Sequence, residues 1–522
     1  MEQNNQNVQP PAQSVPPVQS VPPAQPVPPQ QPYYYPAPPV VQEPPFTTGK
    51  RELIFGLLIM VCSLLLCNFT LFGGFNLGFA LSAMACMACS VGYLRAAGRR
   101  LDGYGIALLA LSAIICAGFA RSDDGFVKFV LTCFVLLAFN LALCRMAGQN
   151  LRPSAGISSL LDPFRAVGLG VGKLSPAFRG LGRTFREGGP TVKKGGAVLV
   201  GLLVALPLMG ILIPLLMSAD AAFDGLLNLL PDFELSELVI TAIFGAMLTC
   251  FLYTRGAALE HTPKAENKAA ESKTVSHLTI NTVLGAVCLV YLVYLFSQLA
   301  YFVGGFSGIL PDGFTAAEYA RRGFFEMAWL CVIDLSVMAL AVAMVTKQEG
   351  KAPLVTRLLC LFIGLVTVFL VVTASAKMGL YISCYGLTRL RVLTEVIMVF
   401  LGIATAVVSL WLFAPKLPYM KVVLLLALSM GAITLWADVD TVVAAYNVSA
   451  YQSGALQKVD VSYLSRLGDG AVPYIARLAE DDNSAVAEAA QRVLENREPT
   501  VQDFRQWNYA DWIADAWLSE DD

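Results

Sequence analysis

The sequence predicts an all-α polytopic membrane protein: a transmembrane helical bundle of about eleven spans, followed by a small C-terminal helical domain outside the membrane. Of its 522 residues, 56% are hydrophobic and 14% are charged, and the mean hydropathy is +0.61. Water-soluble domains need a more strongly charged surface than this composition provides. Repeated apolar runs and an uneven distribution of Lys and Arg among the loops support the same fold class.

Residues 1–49 precede the first apolar run and are rich in Pro and Gln. Repeated Val-Pro-Pro triplets and a closing run of three tyrosines predict a disordered, polyproline-II-like cytoplasmic tail. A docking site for a reader of Pro motifs and a plain spacer are both compatible with this composition. Because the tail lacks a basic segment followed by an apolar one, we expect no cleaved signal peptide, and the first span then acts as the insertion signal.

Eleven apolar runs are long enough to cross a hydrocarbon core of about 30 Å as helices. They define an N-terminal four-helix membrane region at 50–146 and a seven-helix membrane core at 195–440. The third run is the shortest. The runs cover residues 52–72, 75–94, 103–120, 126–146, 195–217, 237–255, 278–303, 324–345, 354–376, 392–413 and 419–438.

Lys and Arg are concentrated in the loops that follow even-numbered runs. Arg95, Arg99 and Arg100 follow the second run, whereas the loop between the fifth and sixth runs contains acidic residues and no Lys or Arg. Cytoplasmic loops of membrane proteins carry an excess of Lys and Arg. The pattern therefore predicts a cytoplasmic N-terminus and, with an odd number of spans, an extracytoplasmic C-terminus.

The loop 147–194 is basic and amphipathic. We expect it to lie along the cytoplasmic leaflet and to bind anionic lipids, with its apolar side chains entering the interface. Three glycines before Lys173 suggest a phosphate-binding loop. Their spacing differs from a Walker A sequence, however, and Leu174 stands where Ser or Thr would bind magnesium. The sequence therefore favours lipid contact over nucleotide binding.

Residues 441–522 are charged, acidic and amphipathic, which predicts an extracytoplasmic helical domain. Two helices are predicted at Gly470–Leu478 and Ser484–Asn496, joined by a Glu-Asp-Asp-Asn turn that supplies N-caps. The pair resembles one HEAT-type hairpin, which cannot bury its apolar face alone. We therefore expect it to dock on the outer ends of the membrane helices, with the tryptophans of the last segment at the membrane interface.

A first group of candidate functional residues leads into the eighth run. Glu318, Arg322 and Glu326 recur every four residues, so Arg322, with Arg321 beside it, can pair with a carboxylate on either side. Asp334 follows two turns later near mid-membrane, where an ionisable side chain costs at least ~2.5 kcal/mol to insert. A structural contact between helices and a role in transport or relay both explain such a residue.

A second group of candidates leaves the ninth run and enters the tenth, on the predicted outer side. It contains cations, which need partners there, and two phenols that share one face with a lysine if the segment is helical. We predict that both groups form a charged cluster beneath the outer surface of spans eight to eleven, with Asp438 and Asp440 as further partners. The second group consists of Lys377, Tyr381, Tyr385, Arg389, Arg391 and Glu395, with Asn447 above it.

Other residues argue against several function classes. The 12 Cys are scattered through the apolar runs and are expected to be packing residues. The two His, His261 and His277, lie away from every acidic cluster, which argues against histidine-based catalysis and zinc binding. We therefore expect no catalytic residues, no cofactor, no metal and no nucleic-acid partner. The lipid bilayer is the partner that the composition implies, and an envelope protein is a further candidate.

Several stretches in the second half of the chain resemble a known family. Their order resembles that of uncharacterised bacterial polytopic membrane proteins of the domain-of-unknown-function 4153/4173 family, although Lys377 stands where we would expect Arg. The resemblance covers roughly residues 195–522; it implies a multi-pass protein of the bacterial plasma membrane and no particular substrate. The stretches are F-S-Q-L-A-Y-F at 296–302, E-Y-A-R-R-G-F-F-E at 318–326, S-A-K-M-G-L-Y at 375–381, Y-G-L-T-R-L-R at 385–391, D-V-S-Y-L-S-R-L-G-D-G-A-V-P at 460–473 and R-Q-W-N at 505–508.

Three interpretations of the function stay open. The first is a transport- or ion-linked membrane protein, which intramembrane charges such as Asp334 favour and which we place ahead of the others, although the halves show no convincing inverted repeat. A C-terminal domain that binds a partner favours an envelope sensor or scaffold. A membrane enzyme acting on lipid is the third, with outer Tyr, Arg and Glu side chains as acid, base and phosphate clamp.

Overall fold

The first four apolar runs fold into four helices joined by short loops. The computed structural model describes residues 49–148, 161–172, 189–219, 235–258, 275–305, 324–346, 351–497 and 503–520. Aspartate side chains start two of the four helices: Asp102 accepts a hydrogen bond from the Gly105 N–H, and Asp124 accepts one from the Val127 N–H. Such capping satisfies backbone donors that the first helical turn leaves free. The helices are α1 (Lys50–Gly73), α2 (Leu77–Ala96), α3 (Gly103–Gly118) and α4 (Gly125–Met146).

The basic loop contributes a short helix before the chain returns to the bundle. This helix, α5 (Asp162–Gly172), packs on α4, while α6 (Pro190–Ala219) packs on α1 and on α7 (Leu235–Tyr253). α7 continues into a π-helical turn over Thr254–Ala258. π-Turns are rare and occur mostly as local distortions of α-helices. Here the turn carries Arg255, which is buried and donates to the Ala166 carbonyl of α5.

Five further long helices complete the membrane part. Helix α10 continues past residue 376, where the sequence predicted the end of the span, because Lys377, Tyr381 and Tyr385 are compatible with a helix. It ends at Tyr385, before Gly386, where φ is +76°. Glycine adopts this left-handed conformation without steric cost. The five helices are α8 (His277–Gly305), α9 (Phe324–Met344), α10 (Leu354–Tyr385), α11 (Arg389–Phe413) and α12 (Tyr419–Ala437).

The C-terminal region forms four short helices followed by a fifth, and we use the name C-terminal domain for the first four. Its first helix, α13, begins immediately after the last span and was not predicted from the sequence, whereas the two-helix hairpin was. Asn483 caps the second hairpin helix by accepting a hydrogen bond from the Ala485 N–H. The helices are α13 (Val439–Gln452), α14 (Val461–Leu464), α15 (Val472–Ala479), α16 (Ser484–Glu495) and α17 (Tyr509–Glu520).

Among the described residues, ten helices are long and apolar enough to cross a membrane, and α3 is a shorter apolar helix. α3 nevertheless runs alongside the whole of α12. Near its start, the Tyr104 ring contacts Lys421 at the beginning of α12. Near its end, Ile114 accepts a hydrogen bond from the Trp436 indole at the end of α12. The described residues contain no strand beyond one isolated bridge, so the all-α polytopic bundle is confirmed.

The membrane helices pack around two separate apolar cores. In the first helix group, α1 to α4, α7 and α12 share a core that includes Ile59, Ile115 and Leu435. In the second helix group, α8 to α11 share a core that includes Ile363 and Met398. The last span therefore packs both on its sequence neighbour α11 and on α3 and α4 from the start of the chain.

The ends of the helices form two chemically different faces. One face, which we call the basic face, carries Arg51, Arg145 and Lys421, each over a tyrosine ring. The opposite face carries the α3–α4 loop, the α10–α11 corner and the C-terminal domain. That domain has its own apolar core, in which the α15–α16 hairpin packs on α13 and α14.

Candidate functional site

The α10–α11 corner places Arg389 between two buried aspartates. The Thr388 hydroxyl caps α11, so Arg389 is its first residue and points its guanidinium at the neighbouring segments. Nε donates to Asp440 Oδ1 at 2.8 Å and Nη2 donates to Oδ2. Asp124 Oδ2 lies 3.3 Å from the same Nε. The two carboxylates are each 1% exposed, and a two-pronged contact of this kind is the strong form of an Arg–carboxylate pair.

These three charged residues come from three different parts of the protein. Asp124 lies in the first helix group, Arg389 starts α11 of the second helix group, and Asp440 belongs to α13 of the C-terminal domain. The domain adds two more contacts, because the Tyr463 hydroxyl accepts from the Arg389 N–H and the Gly468 N–H donates to Asp440. We call this arrangement the charged junction.

Asn447 binds the α10–α11 corner through its side-chain amide. Its Nδ2 donates to the Leu387 carbonyl at 2.8 Å, and its Oδ1 accepts from the Leu387 N–H at 2.6 Å. The amide thereby satisfies both polar groups of one backbone residue, as a neighbouring strand would. A Cβ at Gly386 would lie 2.5 Å from Asn447 Oδ1, so this close approach also requires glycine.

Arg391, the other arginine of the corner, has no carboxylate partner among the described residues. The Arg391 guanidinium lies 4.1 Å from the centroid of the Tyr381 ring and donates to the carbonyls of Tyr385 and Gly386. The Tyr381 and Tyr385 rings are 5.1 Å apart. A guanidinium stacks favourably on an aromatic face, so the predicted excess of cations on this face is stabilised partly by π-systems and backbone oxygens.

Asp438 links the end of α12 to the α3–α4 loop and to α13. It has a φ of 52°, and its carboxylate accepts hydrogen bonds from the hydroxyls of Ser122 and Thr441. Burial raises the pKa of Asp438. A Cβ at Gly470 would lie 2.5 Å from Asp438 Oδ2 and would overlap Thr441. The hairpin can therefore approach α13 this closely only because residue 470 has no side chain.

Three further aspartates meet beside the charged junction. Carboxylate oxygens of Asp123, Asp469 and Asp511 lie within 4.8 Å of one another, a spacing compatible with a single cation. Asp469 also pairs with Arg497. Burial, a hydrogen bond shared with Asp469 and the charge of Asp123 raise the pKa of Asp511 to about 8. A proton on Asp511 therefore lowers the repulsion among three carboxylates that come from three segments.

The segment before α17 attaches the C-terminus to the first helix group. Arg505 donates to Asn68 and pairs with Glu237 at the start of α7. Asn508 is fully buried and donates to the Ser122 carbonyl at 2.6 Å. The Tyr509 N–H donates to the Ala120 carbonyl. The chain end is thus fixed to the same α3–α4 loop that supplies Asp124.

Asp334 lies apart from the charged junction, within the second helix group. It is 1% exposed, and its two oxygens accept hydrogen bonds from the hydroxyls of Tyr291 at 2.6 Å and Thr367 at 2.8 Å. Thr367 precedes Lys377 by about 15 Å along α10. The single cluster predicted for Asp334 and Lys377 is therefore divided into a site in mid-membrane and one at the junction face.

The remaining predicted residues are placed as follows. Glu318, Arg321 and Arg322 lie outside the described residues, and Glu326 belongs to the first turn of α9. Lys377 is half-buried on α10. One oxygen of Glu395, in α11, is buried without a hydrogen-bond partner among the described residues.

Sequence reasoning missed several residues of the charged junction and of the aspartate cluster beside it. Asp124 and Asp469 were not among the candidates, and neither was Tyr463. The position of Asp124 before an apolar run is an N-cap signal. It predicts that one carboxylate oxygen accepts a hydrogen bond from the helix start, but it does not predict the contact of the other oxygen with Arg389. The stretches 460–473 and 505–508, which carry the family resemblance, contain Tyr463, Gly468, Asp469, Arg505 and Asn508. They were a usable signal for the junction.

Comparisons with known proteins give one result. A family profile described as Domain of unknown function (DUF4153) matches residues 56–478. The match extends from within α1 to the end of α15 and includes all three residues of the Arg389 contact. Neither a curated protein nor a solved structure matches the chain.

Replacing Asn447 by Asp tests the amide contact at the corner. Asn447→Asp keeps the acceptor for the Leu387 N–H but puts a carboxylate oxygen against the Leu387 carbonyl. We expect the free energy of unfolding to fall by about 1–3 kcal/mol, measured by thermal unfolding of the purified protein. Asn483→Asp makes the same change at a helix cap that Asp fills equally well and should be neutral. Equal effects of the two substitutions would contradict the role of Asn447.

The pKa of Asp511 predicts a pH dependence of α17 docking. An undocked Asp has a pKa of about 3.9, so between about pH 4 and pH 8 only the docked state holds the extra proton. Docking therefore weakens as pH rises through this window. Hydrogen exchange in α17, corrected for the intrinsic rate, should increase from pH 5 to pH 8, and Asp511→Asn should reduce this dependence. The exposed Asp482, changed to Asn, is the control; protection that is independent of pH would refute the prediction.

Proposed function

Because this chain belongs to the DUF4153 family, whose description assigns no activity, we propose a function from its geometry: a membrane-embedded sensor or scaffold. The C-terminal domain binds an envelope partner or ligand, and the charged junction passes the state of that domain to the membrane helices. The observation that carries this proposal is the placement of Arg389, which contacts both the α3–α4 loop and α13 of the domain. A change in the position of the domain alters the contacts of both helix groups at once.

The proposal includes an orientation in the bacterial plasma membrane. The N-terminus is cytoplasmic and the C-terminal domain extracytoplasmic, because Arg51, Arg145 and Lys421 lie on the face opposite the domain. An excess of basic residues on the cytoplasmic side is the usual pattern. A tag fused after Asp522 should be accessible from outside intact cells, and a tag before Met1 should not.

The basic loop 147–194 is proposed to bind anionic lipid at the cytoplasmic leaflet. In its described part, α5 exposes Phe164 (59%) beside Arg165, and Leu161 just before it is also exposed. Arg165 pairs with Asp162 of the same helix, so α5 itself supplies the apolar contact with the interface, and attraction to anionic lipid comes from the Lys and Arg of the whole loop. The Arg255 contact to Ala166 holds this helix against the bundle.

Coupling between the domain and the membrane helices can be tested at Gly470. Gly470→Ala places a methyl group against Thr441 and Asp438, so the hairpin must shift away from α13. In nanodiscs, we expect faster hydrogen exchange in the α3–α4 loop and at the α10–α11 corner, about tenfold for a shift of about 1.4 kcal/mol in the local opening equilibrium. Gly454→Ala is unsuitable as a control because φ there is +76°.

The matched control is Gly103→Ala, at a helix start where no atom lies within 4 Å of the added Cβ. It should leave exchange at both sites unchanged. If Gly470→Ala increases exchange only within the hairpin, the domain is attached without being coupled, and the sensor proposal fails.

Ion-linked transport is a second candidate function, favoured by Asp334. A carboxylate buried among three membrane helices, held by the hydroxyls of Tyr291 and Thr367, can exchange a proton or cation as those helices move.

Substitution of Asp334 tests this role. Asp334→Asn keeps one hydrogen-bond acceptor and the shape of the side chain but removes the group that can ionise. In proteoliposomes with a pH-sensitive dye, transport predicts that wild-type flux is lost in Asp334→Asn while thermal stability changes by about 1 kcal/mol or less. Ser336→Ala on the lipid-exposed side of α9 is the control. Equal flux in Asp334→Asn and wild type would exclude this role.

A further inference from the structure

The C-terminal domain contains a pocket that the charged junction does not use. It encloses about 430 Å³ between α16 and the segment from Ser465 to Ile475. Ligand pockets of small molecules commonly have volumes of about 300–1,000 Å³. Its apolar wall is formed by Leu467, Val472, Ile475 and Val493.

Two arginines line the same pocket. The Nε of Arg492 donates to the Glu488 carbonyl within α16, and its terminal nitrogens have no partner among the described residues. Arg497 pairs with Asp469 through Nη2, and its Nε is buried without an acceptor in the described part of the chain. The pocket therefore combines an apolar wall with the terminal guanidinium nitrogens of Arg492, which no described protein group uses.

The charges decide between classes of anion. Asp469 neutralises one of the two guanidiniums, so one positive charge is left without a described partner. A monoanionic carboxylate matches that charge, whereas a phosphate dianion exceeds it. Guanidiniums bind carboxylates through paired, parallel hydrogen bonds. The wall next to them favours an apolar group adjoining the carboxylate.

We propose that this pocket binds a small apolar monocarboxylate, either a free acid or the C-terminal carboxylate of a peptide. Arg492, with the Arg497 side chain beside it, holds the carboxylate, and the wall around Leu467 and Val493 receives the apolar group. A carboxylate at Arg497 competes with Asp469, which also faces Asp123 and Asp511 beside the junction. This last link rests on the proposed sensor function, whereas the binding site itself does not.

Calorimetric titration of the full chain in nanodiscs tests the site, with empty nanodiscs as the blank. The probes are 3-phenylpropanoate, its neutral amide 3-phenylpropanamide, phenyl phosphate, and a blocked tripeptide ending in phenylalanine with a free carboxylate. We expect 3-phenylpropanoate or the tripeptide to bind, and whichever binds more tightly identifies the source. The amide should bind about tenfold more weakly or worse, because it lacks the charge that the guanidiniums recognise.

Substitutions separate the site from surface effects. Arg492→Gln should weaken carboxylate binding about tenfold. Arg477→Gln, on the same hairpin with its guanidinium over Tyr474 and outside the pocket, should leave binding unchanged. Thermal unfolding of both variants verifies that they are folded. Equal binding of acid and amide, tighter binding of phenyl phosphate, or binding unaffected by Arg492→Gln would overturn the proposal.

Hydrogen exchange in the presence of the bound carboxylate separates two claims: that the pocket binds a carboxylate, and that this binding affects the charged junction through Asp469. Faster exchange in α17 and the α3–α4 loop supports both. Binding without such a change upholds the site and contradicts its connection to the sensor function. Absence of binding by every probe overturns the site and leaves the Gly470→Ala test of the sensor proposal intact.

Discussion

The contact of Arg389 with Asp124 and Asp440 is the interaction on which the arrangement of the protein depends. Each helix group and the C-terminal domain has its own apolar core, and the two helix groups also pack on each other where α11 meets α12. The Arg389 side chain is 37% exposed, but its two carboxylate partners are buried, so removing the guanidinium leaves buried negative charge without a cation, which is costly. The guanidinium therefore specifies one relative position of the three parts, even where the net stabilisation from such a pair is small.

Neutral residues around Arg389 also fix the position of one segment relative to another. Asn447 holds the backbone of Leu387, Asn508 holds that of Ser122, and Gly470 permits the hairpin to approach Asp438. Buried polar contacts are directional, so they define orientation in a way that apolar packing does not. Such contacts respond to changes in charge or protonation, and the raised pKa of Asp511 places one titratable group of this kind beside the junction.

Hydropathy and charge were sufficient to predict the all-α bundle, the C-terminal hairpin and the Asn483 cap. They did not predict the end of α10, because helix ends follow from backbone conformation at Gly386 and not from the polarity of Lys377 or Tyr381. The partners of Asp334 could not be predicted either. Tyr291 and Thr367 lie on two other helices, and which faces of three apolar helices meet depends on side-chain packing that periodicity alone does not resolve. For the same reason, the packing of α12 on α3 could not be predicted from the sequence.

A double-mutant cycle tests the central contact most directly. Arg389→Gln is combined with Asp124→Asn and, separately, with Asp440→Asn, and the free energy of unfolding is measured for each single and double variant in mixed micelles. The described geometry predicts a coupling of about 1 kcal/mol or more in both cycles, since each pair is in contact. Additivity within about 0.5 kcal/mol in the Asp124 cycle would contradict a junction that joins the two helix groups through Arg389.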